Sequence, residues 1–170
     1  MSTTKTTAFK GTPLTLLGNE VAVGSKAPEF TVQANDLSPV TLAACKGKVC
    51  LLISVPSLDT PVCDIETRKF NEKAVALGPN VEVLCLSMDL PFAQARWCGA
   101  AHVARVRTLS DHREASFGLA YGVLIKELRL LARAVFVIDR TGVVRYEQIL
   151  PDITQEPDYA AALQAVAKLL

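Results

Sequence analysis

Apolar residues recur along the chain in short blocks that alternate between strand-like and helix-like spacing. Residues 49–55 form a nearly continuous apolar run that is closed by Pro56, the pattern of a central strand buried on both faces. A helix is predicted over residues 61–77, with Thr60 as its N-cap and Pro61 at its first position. Its predicted apolar stripe consists of Val62, Ile65, Phe70, Ala74 and Leu77.

The alternation continues towards the C-terminus. Residues 81–87 predict a second strand, residues 91–102 a helix and residues 107–109 a brief strand, and Asp111 is predicted to cap a short helix that ends near residue 121. A hairpin is predicted from residues 132–138 and 143–149, and a closing amphipathic helix from residues 157–170. Its apolar side is predicted to hold Tyr159, Leu163, Val166 and Leu169 or Leu170. The order β-α-β-α predicts an α/β fold around a mixed sheet.

The N-terminal part of the chain has a different pattern. Residues 8–24 hold two short extended runs around Gly18-Asn19, which predicts a β-hairpin ahead of the main sheet. Residues 25–48 are expected to be rich in loops and to end in the turn Lys46-Gly47-Lys48.

Length and charge restrict the possible classes of function. A chain of 170 residues with 50% hydrophobic content can form one domain, so residues 1–170 are interpreted as a single unit. The net charge is +1 and no basic block is present, which argues against partners such as nucleic acid or a membrane surface. With no signal-like segment in its N-terminal region, the chain is expected to be a cytoplasmic protein.

The chain contains five cysteines, at positions 45, 50, 63, 85 and 98, and no Cys-x-x-Cys pair. An odd number in a chain of this length favours free or catalytic thiols over a disulfide framework. Cys50 and Cys85 fall in apolar strand runs and are predicted to be inert core residues, whereas Cys45 is interpreted as a surface thiol.

Cys63 lies in the first turn of the helix that follows the buried strand, where reactive groups gather in open α/β sheets. Unpaired backbone N–H groups and the helix dipole favour thiolate over thiol at this position. Asp59, Asp64 and Glu66 are acidic neighbours that oppose this, so a reactive thiolate would need a nearby cation. The alternative is that Cys63 is a small buried core residue.

Pro56, Thr60 and Cys63 stand in the pattern Pro-x-x-x-Thr-x-x-Cys, which resembles that of the peroxiredoxins, and residues 57–64 are similar to the thiol peroxidase subgroup. The resemblance extends over nearly the whole chain. It includes residues 9–13, 67–71, 109–111, 117–122, 131–139 and 156–159.

This resemblance implies a thioredoxin-like fold with an N-terminal β-hairpin. It implies that Cys63 is the peroxidatic cysteine, that Thr60 is a hydrogen-bonding partner, that Pro56 supports the substrate pocket and that Arg133 is the cation beside the thiolate. It further implies a homodimer that reduces hydroperoxides, needs no cofactor or metal, and is recycled by thioredoxin.

The resemblance also implies that Cys98 is the resolving cysteine and that it forms a disulfide with Cys63. The helices that carry the two thiols are expected to begin too far apart for a bond, since a disulfide needs Cα atoms about 4.4–6.8 Å apart. Local unwinding is therefore predicted. Residues 99–105 depart from the usual family continuation, which leaves the mobility of this segment open.

The same residues leave other functions open. Cys98 and His102 lie four residues apart and could ligate a metal, but no further ligands stand at a recognisable spacing. A cysteine hydrolase would need His102 or His112 as its base, and neither falls in a triad signature. A disulfide reductase would carry Cys-x-x-Cys where this chain has Thr60-x-x-Cys63. A non-catalytic binding module on the same fold is the remaining alternative.

Overall fold

The structure is a computed structural model that describes residues 5–170. Its strands are β1 (Thr6–Phe9), β2 (Thr12–Leu17), β3 (Thr31–Gln33), β4 (Pro39–Thr41), β5 (Val49–Ser54), β6 (Val81–Ser87), β7 (Val106–Ser110), β8 (Leu124–Ile125), β9 (Ala134–Ile138) and β10 (Val144–Ile149). Its α-helices are α1 (Pro61–Leu77), α2 (Pro91–Ala101), α3 (Ser116–Ala120) and α4 (Tyr159–Ala167), and a 3₁₀ helix spans Leu42–Cys45.

The central sheet has seven strands in the order β10-β9-β5-β6-β7-β3-β4. Strands β5, β6 and β7 are parallel, whereas β9 and β3 flank them in the antiparallel direction. The predicted mixed sheet of an α/β fold is thereby confirmed. Because β9 runs against β5, the beginning of β9 lies beside the end of β5, at the edge from which the chain enters α1.

Strand β5 is buried along its whole length and separates two hydrophobic clusters. Val49, Leu51 and Ile53 face the cluster that contains α1 and α4, whereas Cys50 and Leu52 face the cluster on the other side of the sheet. This alternation follows from the two-residue period of a strand. It explains why the run in the sequence is apolar at every position.

Helix α1 begins and ends where the sequence predicts. Thr60 has an extended backbone, Pro61 opens the helix, and Gly78 ends it with a φ of 82°. The predicted apolar stripe is partly wrong, because Ile65 is 46% exposed. The buried positions are Cys63, Glu66, Thr67, Phe70 and Ala74. Phe70 and Ala74 determine which side of the helix faces the sheet. Cys63, Glu66 and Thr67 lie one or two turns earlier on the same side, so they are buried although Glu66 and Thr67 are polar.

The N-terminal hairpin is present, but its turn is at Lys10-Gly11 and not at Gly18-Asn19. Lys10 and Gly11 both have positive φ, 49° and 83°, which is the requirement of a two-residue type I′ turn. Gly18 and Asn19 instead pack against α3, where the Asn19 N–H donates to the Leu119 carbonyl at 2.8 Å. Strand β2 also pairs with β8, which the sequence pattern did not predict.

The remaining predicted elements have mixed outcomes. Strand β6, helix α2 and the β9–β10 hairpin are confirmed to within two residues at each end, and α4 is shorter than predicted. The loop-rich region 25–48 contains the short strands β3 and β4, which extend the central sheet. The helix predicted from Asp111 begins only at Ser116, with Ala115 as its N-cap, although the Asp111 carboxylate accepts from the N–H groups of Phe117 and Gly118 in its first turn. Among residues 5–170, no helix has the length and apolar character needed to cross a membrane.

Candidate active site

Cys63 is the third residue of α1 and is fully buried. The strand order brings Arg133 to it, because Arg133 immediately precedes β9 and Ala134 pairs with Ser54 at the end of β5. The Arg133 guanidinium donates to Cys63 Sγ at 3.1 Å across 70 residues of chain. The structure therefore places the predicted cation in direct contact with the predicted thiolate.

Arg133 is only 1% exposed, and each of its three guanidinium nitrogens has a partner in the protein. Its Nε donates to the Ile153 carbonyl at 2.9 Å, and its remaining nitrogen forms an ion pair with Glu66. Burial acts to lower the pKa of Arg133, but the attraction of Glu66 and Cys63 outweighs burial and raises it. The guanidinium is therefore a fixed positive charge beside the sulfur.

Glu66 is part of this site and was missed in the sequence, where it was read only as an acidic neighbour. It lies one turn after Cys63 on the buried face of α1, and burial raises its pKa to about 7 against the opposing effect of Arg133. The signal that could have identified it is its helical phase: Glu66 stands three residues after Cys63 and four before Phe70, on the face that the sheet covers.

Thr60 and Pro56 lie in the loop between β5 and α1. Thr60 is exposed, and its hydroxyl donates its hydrogen to the Ser57 carbonyl at 2.9 Å and not to the sulfur. Pro56 is buried. The loop is held by Asp89, a second residue missed in the sequence, which accepts from the Ser57 hydroxyl at 2.6 Å and from the Leu58 N–H at 2.8 Å.

Cys98 lies on α2, is half-buried, and contacts Thr108 Oγ1 through its sulfur at 3.1 Å. Thr108 is separated from β9 by three strand spacings, because Thr108, Cys85, Ile53 and Val135 pair in one line across the sheet. Three spacings amount to about 14 Å. Cys63 and Cys98 are both free thiols; Cys98 contacts Thr108 at one end of this line, whereas Cys63 contacts Arg133, which precedes β9. The predicted bond between them therefore requires a rearrangement.

The disulfide of this structure joins Cys45 and Cys50. The interpretation of Cys45 as a surface thiol is wrong, whereas Cys50 is in the core as predicted but is bonded and not a free thiol. Cys45 is buried at the end of the 3₁₀ helix, and the tight turn after it brings the two Cα atoms to 5.7 Å. Cys85 is buried as predicted, and burial raises the pKa of its thiol.

The Redoxin family model matches residues 22–163. The chain is 61% identical, over 162 residues, to the thiol peroxidase of Halalkalibacterium halodurans, an alignment that covers 95% of this chain and 97% of that protein. The chain belongs to the thiol peroxidases of the redoxin family. The thiol peroxidase of Bacillus subtilis is 54% identical and is covered to 96%, with 95% of this chain aligned.

Solved structures agree with this thiol peroxidase assignment. A peroxiredoxin-like protein from Aquifex aeolicus superposes with a TM-score of 0.91 at 45% identity, and 97% of each chain is covered. A thiol peroxidase from Chromobacterium violaceum has a TM-score of 0.86 at 19% identity, with 96% of this chain and 95% of that chain covered, and shows the same fold. The predictions of a thioredoxin-like fold and of a peroxiredoxin-type oxidoreductase are confirmed.

The alternatives considered for the sequence find no counterpart at this thiol peroxidase site. The hydrogen-bond donor at Cys63 Sγ is a guanidinium and not an imidazole. His102 is exposed at the end of α2, where its φ is 55°, while Cys98 is bonded to Thr108. Within the described part of the chain, no group of three or more His, Cys, Asp or Glu side chains is placed to hold a metal ion.

Proposed function

We propose that this thiol peroxidase reduces hydrogen peroxide and organic hydroperoxides through Cys63. The observation that carries the proposal is the 3.1 Å contact between the Arg133 guanidinium and Cys63 Sγ, with both residues buried. A fixed cation in a water-poor site stabilises the thiolate and the negative charge that develops on the departing oxygen.

In the first step the Cys63 thiolate attacks one peroxide oxygen. A sulfur–oxygen bond forms, the oxygen–oxygen bond breaks, and its electron pair leaves on the second oxygen, which takes up a proton as water or an alcohol. Cys63 becomes a sulfenic acid. The exposed Thr60 hydroxyl lies at the entrance to the helix start and is proposed to hold the peroxide in line, after turning from the Ser57 carbonyl. Buried Pro56 is proposed to support the wall of the pocket.

In the second step Cys98 resolves the sulfenic acid. Its sulfur attacks the Cys63 sulfur, a disulfide forms, and the hydroxyl group leaves as water. Unwinding of the first turn of α1 and of part of α2 is proposed to precede this step, because Cys63 is held by Arg133 and Cys98 by Thr108, and the two sulfurs must leave these contacts to meet. A thioredoxin-type dithiol is proposed to restore both thiols by exchange.

Peptide mapping and steady-state turnover test this proposal. One equivalent of peroxide should lower the intact mass by two hydrogens and join the Cys63 and Cys98 peptides. Cys63→Ser should abolish turnover with thioredoxin and its reductase, whereas Cys98→Ser should complete one turnover and stop as sulfenic acid. Cys85→Ala is the matched control and should retain activity. Full activity of Cys63→Ser, or a bond from Cys63 to Cys45 or Cys50, would refute these assignments.

We further propose a cytoplasmic homodimer with one domain over residues 1–170, of which residues 1–4 lie outside the described residues. Large exposed apolar side chains near the loop that carries Thr60 support an interface close to the active site. They include Leu90 at 54% exposure and Phe92 at 67% exposure, at the start of α2. A cluster of large apolar side chains exposed to water is typical of a protein–protein interface. A monomer by sedimentation would contradict the dimer.

A further inference from the structure

A chain of hydrogen bonds holds the Cys98 thiol on the side of α2 that faces β7. Cys98 Sγ lies 3.1 Å from Thr108 Oγ1, and Thr108 Oγ1 lies 3.2 Å from Asn35 Oδ1. Thr108 is 4% exposed and Asn35 belongs to the connection between β3 and β4. We name these three residues the Cys98 latch. They line one wall of a surface cavity of about 380 Å³.

The direction of these bonds follows from the chemistry of the groups. Asn35 Oδ1 is a carbonyl oxygen and can only accept, so the single hydroxyl hydrogen of Thr108 is donated to Asn35. Thr108 Oγ1 can then only accept from Cys98, which must supply its S–H. The latch therefore holds the neutral thiol. The attacking species is the thiolate, which could keep this contact only if the Thr108 hydroxyl turned away from Asn35 to donate to the sulfur. Ionisation of Cys98 therefore breaks one bond of the latch, and Cys98 must also move away from Thr108 to reach Cys63.

We propose that Thr108 is a positioning residue for the resolving step, and that release of Cys98 from Thr108 limits the rate at which the disulfide forms. The inference rests on the proposed function, in which Cys98 captures the Cys63 sulfenic acid. A slower release prolongs the lifetime of the sulfenic acid. During that time a second peroxide can oxidise Cys63 irreversibly to the sulfinic acid. Thr108 thus sets how much peroxide the enzyme tolerates.

Neighbouring contacts show that the latch is one part of the attachment of α2. The Trp97 Nε1–H donates to Asp64 Oδ1 at 2.8 Å, beside Cys63, and the Arg68 guanidinium donates to the Ala101 carbonyl at 3.3 Å. The chain contains one tryptophan, and it is adjacent to Cys98. The fluorescence of Trp97 therefore reports directly on the unwinding of this helix.

The experiment compares Thr108→Val with Thr108→Ser. Valine removes the hydroxyl, whereas serine keeps it. Reduced protein is mixed with one equivalent of hydrogen peroxide, sulfenic acid and disulfide are quantified by quenching and mass spectrometry, and Trp97 fluorescence follows α2. Thr108→Val should form the Cys63–Cys98 disulfide about two- to tenfold faster than the parent protein, which corresponds to the loss of one hydrogen bond. It should accumulate less sulfinic acid at high peroxide, while the rate of sulfenic acid formation stays unchanged.

Thr108→Ser should behave like the parent protein in both steps. An unchanged or slower disulfide step in Thr108→Val, or an equal acceleration in Thr108→Ser, would overturn the proposal. Thr108→Ala, which also lacks the hydroxyl but is smaller, should show the same acceleration and replaces the valine variant if valine prevents folding. The parent protein tests the proposed function separately. If it formed no Cys63–Cys98 disulfide with peroxide, the proposed function would be wrong, and so would the role of Thr108 that rests on it.

Discussion

At the scale of single residues, the site combines one buried cation with two buried acids. Arg133 contacts both Cys63 and Glu66, and all three side chains are withdrawn from water. One positive charge can balance either a thiolate or a carboxylate, but ionising both acids leaves a buried net negative charge, which is costly. The raised pKa of Glu66, about 7, reflects this environment, since burial outweighs the attraction of Arg133. We expect Glu66 to hold a proton more readily when Cys63 is a thiolate.

The Glu66 titration gives a prediction for stability against pH. Its carboxyl has a pKa near 4.5 when unfolded and about 7 when folded, so between these values the folded state holds a proton that the unfolded state has lost. The free energy of unfolding should therefore decrease from pH 5 to pH 8, by an amount on the order of 1–3 kcal/mol. Glu66→Gln does not titrate and should remove this decrease. Urea unfolding at four pH values measures the free energy of unfolding of both proteins. The assignment would be contradicted if this free energy changed with pH equally in the parent protein and in Glu66→Gln.

Arg133 gives a second prediction at the same scale. Arg133→Gln removes the cation from Cys63, so the rate constant for oxidation of Cys63 by peroxide should fall about 100-fold or more. Its stability should also fall, because the Glu66 carboxyl is left buried without its partner. The double variant Arg133→Gln with Glu66→Gln should regain stability but not rate. Stopped-flow oxidation and urea unfolding separate the two effects; recovery of the rate in the double variant would show that Arg133 acts only through folding.

At the scale of the elements, α1 and α2 carry the two thiols and are tied to each other and to the sheet by side-chain bonds. Trp97 donates to Asp64, Arg68 to Ala101, and the buried Gln94 amide to both Ser87 and the Leu109 carbonyl. These bonds hold the helices in the conformation that favours peroxide attack. In the proposed mechanism, some of these bonds must break before Cys98 can reach Cys63.

Hydrogen exchange tests whether α1 and α2 unwind when Cys63 and Cys98 form a disulfide. In the reduced protein, the amide hydrogens of α1 from Asp64 onwards, which bond to the first turn, and those in the second half of α2 should be protected. In the peroxide-oxidised protein they should exchange at least tenfold faster, because both segments are proposed to unwind so that the thiols can meet. Helix α4 packs on the same face of the sheet and is the internal control, with unchanged exchange. Equal protection of α1 and α2 in both redox states would show that the thiols meet without unwinding.

At the scale of the whole molecule, the sheet separates two kinds of cysteine chemistry. Cys63 and Cys98 belong to the face with α1, α2 and α4, whereas Cys45 and Cys50 belong to the cluster on the other face. The Cys45–Cys50 disulfide joins the 3₁₀ helix to the beginning of β5, and Cys63 follows the opposite end of that strand. The two pairs are therefore expected to act independently.

This separation predicts the effect of removing the disulfide. The double variant Cys45→Ala with Cys50→Ala should keep the parent rate of peroxide turnover to within about twofold, because neither residue lies on the face of Cys63. Its stability should fall by about 2 kcal/mol, as expected for a cross-link that closes a short loop. A coupled peroxidase assay and thermal unfolding measure the two quantities. A large loss of turnover in a folded variant would place this disulfide in the catalytic cycle.

Local signals in the sequence determined much of the fold. The run 49–55 identified β5, and Thr60, Pro61 and Gly78 located both ends of α1 because capping and backbone preferences act within a few residues. These two elements already place Cys63 in the first turn of a helix behind a buried strand. The resemblance of residues 56–63 to the peroxiredoxin pattern then identified the family, and the comparisons confirm it.

Only the tertiary structure decided what surrounds Cys63. The pairing of β9 with β5 brings Arg133 to a sulfur 70 residues away, and it is this contact that allows Glu66 to lie on a buried face where the sequence pattern expected apolar residues. The Cys45–Cys50 bond and the Thr108 contact of Cys98 likewise depend on how neighbouring elements pack. The sequence by itself determined the thiol and its helix, because those depend on near neighbours; the charges and restraints on that thiol come from residues that are near only after folding.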